Sequence, residues 1–252
     1  MDIRIIGRLG SRAVRCIVGK TNLNRYSKIC DVVVNYGLAG KRMEKFLAKH
    51  TSLKTKPIIN KYIGCSKYKA INDAKKHDIL IPKTFLSLSK EYKVSDFINK
   101  RMHSQGGIGI CKATTRSRIA GNYYQELIQN RIYELRVHGF AWTDSEDWLI
   151  QKRFGKKDEI AWNYHNGGRF QTIINSRKYG LFKKAKEITT KMLKIRNMSF
   201  GAVDFIVTSD RQLLFLEINS APGFTELSEG AYINAFNKLS NLPKNKILKF
   251  CV

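Results

Sequence analysis

The sequence predicts an α/β protein of the mixed α+β kind, with a short N-terminal α/β lobe over residues 1–60, a central lobe over 61–125 and a C-terminal lobe over 126–252. Three observations carry this. Apolar runs of strand length, such as "DVVVNYG" and "IYELRVHGFAW", share the chain with helix-spaced segments such as "AGKRMEKFLAKH". The middle of the chain is rich in strand patterns, whereas a long lysine-rich helical pattern precedes the last pair of strands. A hydrophobic content of 43% against 26% charge, over 252 residues, supplies a substantial core and is too apolar for a disordered chain.

Taken in order, "RCIVGK" and "DVVVNYG" read as strands, each followed by a basic segment, and "AGKRMEKFLAKH" has helical spacing through Met43, Phe46 and Leu47. "SKYKAINDAKKHDILIPKTF" is a helix pattern closed by Pro82 and followed by a short extended piece. "VSDFINKRMHSQGGIGICKAT" reads as strand, glycine turn, strand, and "NYYQELI" and "IYELRVHGFAW" as two more strands. "WLIQKRF" leads into the polar loop "AWNYHNGGRF", after which "YGLFKKAKEITTKMLKIRN" is a helix and "FGAVDFIVTSDRQLLFLEINSAPGF" a hairpin. Neither an internal repeat nor a low-complexity linker interrupts the pattern.

Lysine and arginine number 46 against 20 acidic residues, a net charge of +26 that points to polyanions: nucleic acid, nucleotide phosphates or an acidic polypeptide. The lysines are spread along the whole chain, so compositional bias explains the charge equally well, and at most weak, non-specific binding to nucleic acid or acidic polypeptide is expected. No apolar run approaches the length of a membrane span and the start has no signal-peptide pattern, which predicts a cytoplasmic protein with no membrane partner. The five cysteines are scattered without a C-x-x-C pair and the five histidines without H-x-x-x-H spacing, so neither a disulfide framework nor a zinc site is expected.

The hairpin poses the chemical question. With Asp210 and Arg211 as a two-residue turn, Asp204 stands opposite Glu217, and Asn219 shares the face of Glu217. Opposed carboxylates repel unless a cation sits between them, and hard oxygens at three positions suit magnesium. A solvated face whose acids pair with nearby lysines fits the same pattern. Upstream, Gly106, Gly107 and Gly109 in "KRMHSQGGIGI" let backbone N–H groups approach phosphate oxygens, with Lys100 as a point charge; a plain hairpin turn has the same appearance.

A family resemblance favours the chemical reading. "GAVDFIV" with "LFLEINSAPGF" resembles the magnesium motif of the ATP-grasp superfamily, and "KRMHSQGGIGI" resembles its strand lysine and glycine-rich loop. The resemblance covers about residues 60–225 and implies two α/β lobes clasping ATP, behind a short pre-ATP-grasp lobe. It implies magnesium, with manganese as a substitute, on Asp204, Glu217 and Asn219, and Lys67, with Lys69 in reserve, as the first ATP lysine. It further implies Gln125 and Glu126 in the hinge strand around adenine and ribose. Glu134 and Arg136 in "YELRVHG" resemble the D-x-R of the ribosomal-protein glutamate ligase (RimK-like) branch, and Asn163 in "WNYHNGGRF" resembles an asparagine of that branch. The arginine expected two residues before Asn163 is Ala161, and Arg153 or Arg169 stands as its substitute.

The implied activity is ADP-forming ligation of a carboxylate to an amine through an acyl phosphate, with an amino acid, peptide or protein as substrate and Arg136 stabilising the charge that develops. A small-molecule kinase of the same fold and a non-catalytic nucleic-acid-binding protein remain as alternatives.

Overall fold

The computed structural model describes residues 1–8, 10–25, 29–64, 66–104, 108–156, 159–162, 167–173 and 180–251, Leu227 by its backbone alone. The chain begins with a parallel three-stranded sheet of β1 (Ile3–Gly7), β2 (Val32–Tyr36) and β3 (Ile58–Ile59), in that spatial order, with helices α1 (Arg12–Lys20) and α2 (Lys41–Lys49) in the connections. The "RCIVGK" run is therefore helix, not strand. Ser11 caps it by accepting the Val14 N–H, and burial of Ala13, Val14 and Ile17 follows one helical face.

Helix α3 (Lys67–Lys76) opens the next part, capped by Ser66. It ends well before Pro82, because Asp78 adopts a left-handed conformation (φ 59°) just past the last turn. An antiparallel sheet follows, built of β4 (Thr84–Phe85), β5 (Phe97–Arg101), β6 (Cys111–Lys112) and β7 (Asn122–Glu126) in the order β4-β7-β5-β6.

The largest sheet is antiparallel, with β8 (Arg131–Phe140), β9 (Leu149–Phe154), β10 (Arg169–Thr172), β11 (Phe200–Thr208) and β12 (Leu213–Asn219) in the order β10-β9-β8-β11-β12. Strand β10 begins in the last two residues of the predicted polar loop "AWNYHNGGRF"; at the sheet edge its side chains alternate exposed and half-buried, so no apolar run marks it. One face carries Leu135, Val137, Val203 and Phe205 in the hydrophobic core, with α4 (Gly180–Ile195) packed along the same strands. The opposite face is polar along one row: Gln151, Arg136, Asp204 and Glu217 are direct register partners on successive strands. Helix α5 (Glu226–Ser240) covers one end of that face through Tyr232, and α6 (Lys244–Leu248) closes the chain.

Asp204 does pair with Glu217, through two departures from the simple hairpin. The turn has three residues, Ser209 to Arg211, closed by the Thr208 N–H on the Gln212 carbonyl, with Arg211 left-handed (φ 59°). A bulge then restores the opposition: Phe205 pairs with Phe215 and Asp204 with Glu217, leaving Leu216 as the extra residue.

The first sheet is tied to the largest one by buried amides. Asn35 donates to the carbonyls of Leu38 and Asn60, both at 2.8 Å, while Asn60 accepts from the Ser199 N–H (2.7 Å) and donates to the Phe200 carbonyl (3.0 Å). Asn60 itself is left-handed (φ 58°), a conformation that asparagine tolerates better than most residues. Replacing it strips two buried backbone groups of their partners, so Asn60→Ala is expected to lower unfolding stability by about 2–4 kcal/mol in urea titration.

Candidate active site

A cleft of about 1410 Å³ lies over the polar face of the five-stranded sheet. The four-stranded sheet supplies Lys100, Gln125 and Glu126 to it, helix α3 supplies Lys67, and the starts of α1 and α5 supply Arg12 and Glu226. The sequence-predicted residues Glu134, Arg136, Arg153, Asp204, Glu217 and Asn219 line the same space, as does Arg169. Lys69 is exposed and does not line the cleft, whereas Lys67 does. Gly109 turns with a positive φ of 76°. Gly106, Gly107 and Asn163 lie outside the described residues.

Cross-strand register explains the central contacts. Arg136 stands opposite Asp204 and grips it with two hydrogen bonds, Nε to Oδ1 and Nη2 to Oδ2, both 2.7 Å. Arg153 adds a third from Nη2 to Oδ2 at 2.9 Å, and gives Nη1 to Glu134 at 2.8 Å. Glu134 also accepts from Arg131 at 2.9 Å. Five charged side chains thus alternate in sign, and the Phe170 ring lies 5.7 Å from the Arg136 guanidinium and 5.2 Å from that of Arg153.

Asp204 is 1% exposed, and burial alone would raise its pKa; the two guanidiniums outweigh this and hold the carboxyl well below the usual range. The balance is opposite at Glu134, where burial prevails over its two arginines and raises the pKa. Across the hairpin, Glu217 meets Lys67 Nζ at 2.6 Å and accepts from Asn219 Nδ2 at 3.0 Å. Burial pushes its carboxyl upward, and Lys67, Lys100 and the Asn219 hydrogen bond together outweigh it, so the net shift is downward. The repulsion that suggested an intervening metal is therefore met by cations of the protein itself.

Among the described residues no cluster of three or more His, Cys, Asp or Glu side chains is placed to hold a metal, and the predicted trio depends on the Asn219 oxygen for its third donor. Glu217 and Asn219 are half-buried and line the cleft, and their oxygens suit a hard cation. Among the described residues Asp204 takes three guanidinium hydrogen bonds, two on Oδ2 and one on Oδ1, so Oδ1 keeps the greater lone-pair capacity.

Lys100 donates to Gln125 Oε1 at 2.9 Å and is 7% exposed. Burial lowers its pKa to about 8, partly countered by Glu217. Glu126 is held at the rim by the Lys83 N–H, beside Leu127 and Ile128. Behind the charged row, His138 hydrogen-bonds Tyr232 Oη and Gln151 Oε1, each at 3.1 Å, and Gln151 Nε2 reaches Thr225, the N-cap of α5, at 3.4 Å. Sequence reasoning missed Arg12, Phe170 and Trp162. Arg12 follows a capping serine just ahead of the "RCIVGK" run read as a strand; Trp162, stacked 3.7 Å from the Arg131 guanidinium, sits in a stretch read as loop.

A family model described as the D-Ala D-Ala ligase C-terminus matches residues 163–238, which include β11 and β12. Over 66 residues the chain is 45% identical to a D-alanine–D-alanine ligase of Aquifex aeolicus (strain VF5), a stretch that makes up 26% of this chain and only 22% of that ligase's length. Among solved structures, a RiPP-associated ATP-grasp ligase of Chryseobacterium gregarium, in complex with ADP and a leader and core peptide, superposes with a TM-score of 0.62 at 12% identity, covering 96% of this chain and 98% of that one. The chain has the ATP-grasp fold. A D-alanine–D-alanine ligase of Bacillus anthracis gives a TM-score of 0.63 at 12% identity over 99% of both chains. The ATP-grasp fold thus spans nearly the whole chain, and none of these matches singles out the glutamate-ligase branch. No helix among the described residues is long and apolar enough to cross a membrane.

The site carries a pH signature. Burial, with Arg136 nearby, lowers the His138 pKa from an ordinary 6.5 to about 3. Between those values the unfolded chain binds the proton and the folded one does not, so this contribution is intact above pH 6.5 and is lost as pH falls toward 3. His138→Gln should flatten the stability–pH profile over that window by up to about 1.4 kcal/mol per pH unit, read by denaturant unfolding at a series of pH values.

Proposed function

We propose that this ATP-grasp protein is an ATP-dependent carboxylate–amine ligase that forms an amide through an acyl phosphate and releases ADP and phosphate. The observation that carries the reading is the meeting, in one cleft, of Lys67 and Lys100, the paired oxygens of Glu217 and Asn219, and the guanidiniums of Arg136 and Arg153. Phosphoryl transfer needs positioning and charge neutralisation more than a protein nucleophile, and this arrangement offers both. Glu217 and Asn219 would hold magnesium or manganese, with Asp204 joining only through Oδ1; when bound, the ion offsets charge on the phosphate oxygens.

Lys67 and Lys100 take the phosphates of ATP, Gln125 and Glu126 face its base and ribose, and the loop of Gly106, Gly107 and Gly109 covers it. Arg136 stabilises the acyl phosphate and the oxyanion formed when the amine attacks. Arg153 and Arg169 bind the carboxylate substrate, in place of the arginine replaced by Ala161, with Asn163 alongside. Glu134 acts on that set indirectly, by orienting Arg131 and Arg153.

An amino acid, peptide or protein is the substrate class. The cleft volume of about 1410 Å³ exceeds that of a pocket for one small ligand, typically ~300–1,000 Å³, and leaves room for a second reactant. The Chryseobacterium ligase, whose complex contains ADP and a leader and core peptide, supports a peptide. The nucleic-acid reading gains nothing from the relatives.

The test incubates the purified protein with ATP, magnesium, hydroxylamine and pools of amino acids and peptides. A hydroxamate with ADP is expected; a stable phosphorylated alcohol would indicate a kinase, and AMP with pyrophosphate would move the chemistry away from the γ-phosphorus. Glu217→Gln is expected to cut turnover by about two orders of magnitude or more while the protein stays folded. Its metal-free stability should fall slightly, because Lys67 loses its charged partner.

A further inference from the structure

The segment that joins β12 to α5 leaves the cleft with one of its walls, since Ala221 through Glu226 all line it and Asn219 immediately precedes it. Between Asn219 and the N-cap Thr225 this wall has no regular structure, and among the described residues 220–224 form no backbone-to-backbone hydrogen bond. Side chains from elsewhere hold it instead. The Pro222 carbonyl accepts a 2.8 Å hydrogen bond from the hydroxyl of Tyr36, the last residue of β2 in the N-terminal sheet, 186 positions earlier. Tyr36 is 2% exposed, and its ring packs on Phe200 (5.8 Å), Phe224 and Tyr232 (both 6.2 Å). Next to it, a Cβ on Gly37 would collide with Ala221, so the two backbones approach as closely as a glycine permits. At the far end Gln151 reaches Thr225, and Thr225 and Ser228 form a reciprocal capping box.

We infer that Tyr36 is a positioning residue: from the N-terminal lobe it fixes the Ser220–Phe224 wall, and through that wall the Asn219 oxygen beside Glu217. The lobe that contributes little charge to the cleft would thereby set how well the nucleotide end of it is formed. An irregular segment with one side-chain anchor at its centre has few other restraints on its carbonyls, so removing that anchor frees the wall while leaving the sheets and their cores intact. The functional half of the inference rests on the ligase reading, in which Glu217 and Asn219 serve the magnesium-bound nucleotide.

Tyr36→Phe deletes the hydroxyl and keeps the ring. Two measurements on the full chain decide the matter: amide hydrogen exchange of the 219–225 peptide in the free protein, read at Thr225, whose N–H bonds Ser228 Oγ at the end of the wall, and ADP affinity with and without magnesium. Expected are exchange in that peptide about tenfold faster, a melting temperature within about 2–4 °C of the unaltered protein, and a several-fold smaller gain in ADP affinity on adding magnesium, with magnesium-free affinity unchanged. Unchanged exchange would overturn the anchoring role. Faster exchange with an undiminished magnesium gain would overturn the positioning role. If the unaltered protein shows no magnesium gain, the ligase reading is contradicted together with the functional half, and exchange alone then decides whether Tyr36 holds the wall.

Discussion

The ion cluster centred on Asp204 is the constraint around which the rest is arranged. A carboxylate in the middle of the most buried strand of the largest sheet loses nearly all its hydration, at a cost of several kcal/mol that only close, well-aligned donors offset. Arg136 supplies two of those donors because the register of β8 and β11 places it directly opposite, and Arg153 supplies the third from one strand further. Each arginine brings its own desolvation, which Glu134 shares with Arg153 and Arg131. The result alternates in sign and carries one surplus positive charge, and it links three adjacent strands under the cleft.

That surplus shapes what the cleft accepts. Lys67 is neutralised by Glu217, and among the described residues Lys100 has only a neutral amide as its hydrogen-bond partner, so the central sheet and α3 present a nearly balanced surface with a net pull on anions. A buried lysine whose charge is penalised, as the lowered pKa of Lys100 indicates, gains more than an exposed one when an anion arrives. On the proposed ligase reading, a triphosphate would replace the hydration that burial removed, in a space where fixed donors need little reorganisation. The +26 net charge of the chain adds a long-range attraction for such ligands, though it identifies none of them.

Much of this was legible from local pattern, and what was not has a common cause. The opposition of Asp204 and Glu217 follows from alternation within one hairpin, although a two-residue turn was the wrong route to it: a three-residue turn and a bulge at Leu216 cancel. Lys67, Lys100, Arg136 and Arg153 were all named and all line the cleft. Their pairing was not readable, because Arg136 and Asp204 are 68 residues apart and the register of β8 on β11 is a tertiary property. Hence a metal was called on to balance charges that guanidiniums and an ammonium balance. "RCIVGK" failed for a local reason, since short apolar runs do not distinguish strand from helix, and the Ser11 cap was the overlooked signal. Arg12 and Tyr36 enter only through the packing of the first lobe against the others.

The central claim is that Asp204 acts first as the buried counter-ion of Arg136 and Arg153, which makes its substitution by asparagine the most direct test. Asp204→Asn preserves shape and removes the charge, so denaturant unfolding of the metal-free protein should show a loss of about 3–5 kcal/mol, as expected when one partner of a buried pair is deleted. Equal or greater stability than the unaltered protein would instead mean that burying the carboxylate beside Glu217 costs more than the two arginines return, and would contradict the account.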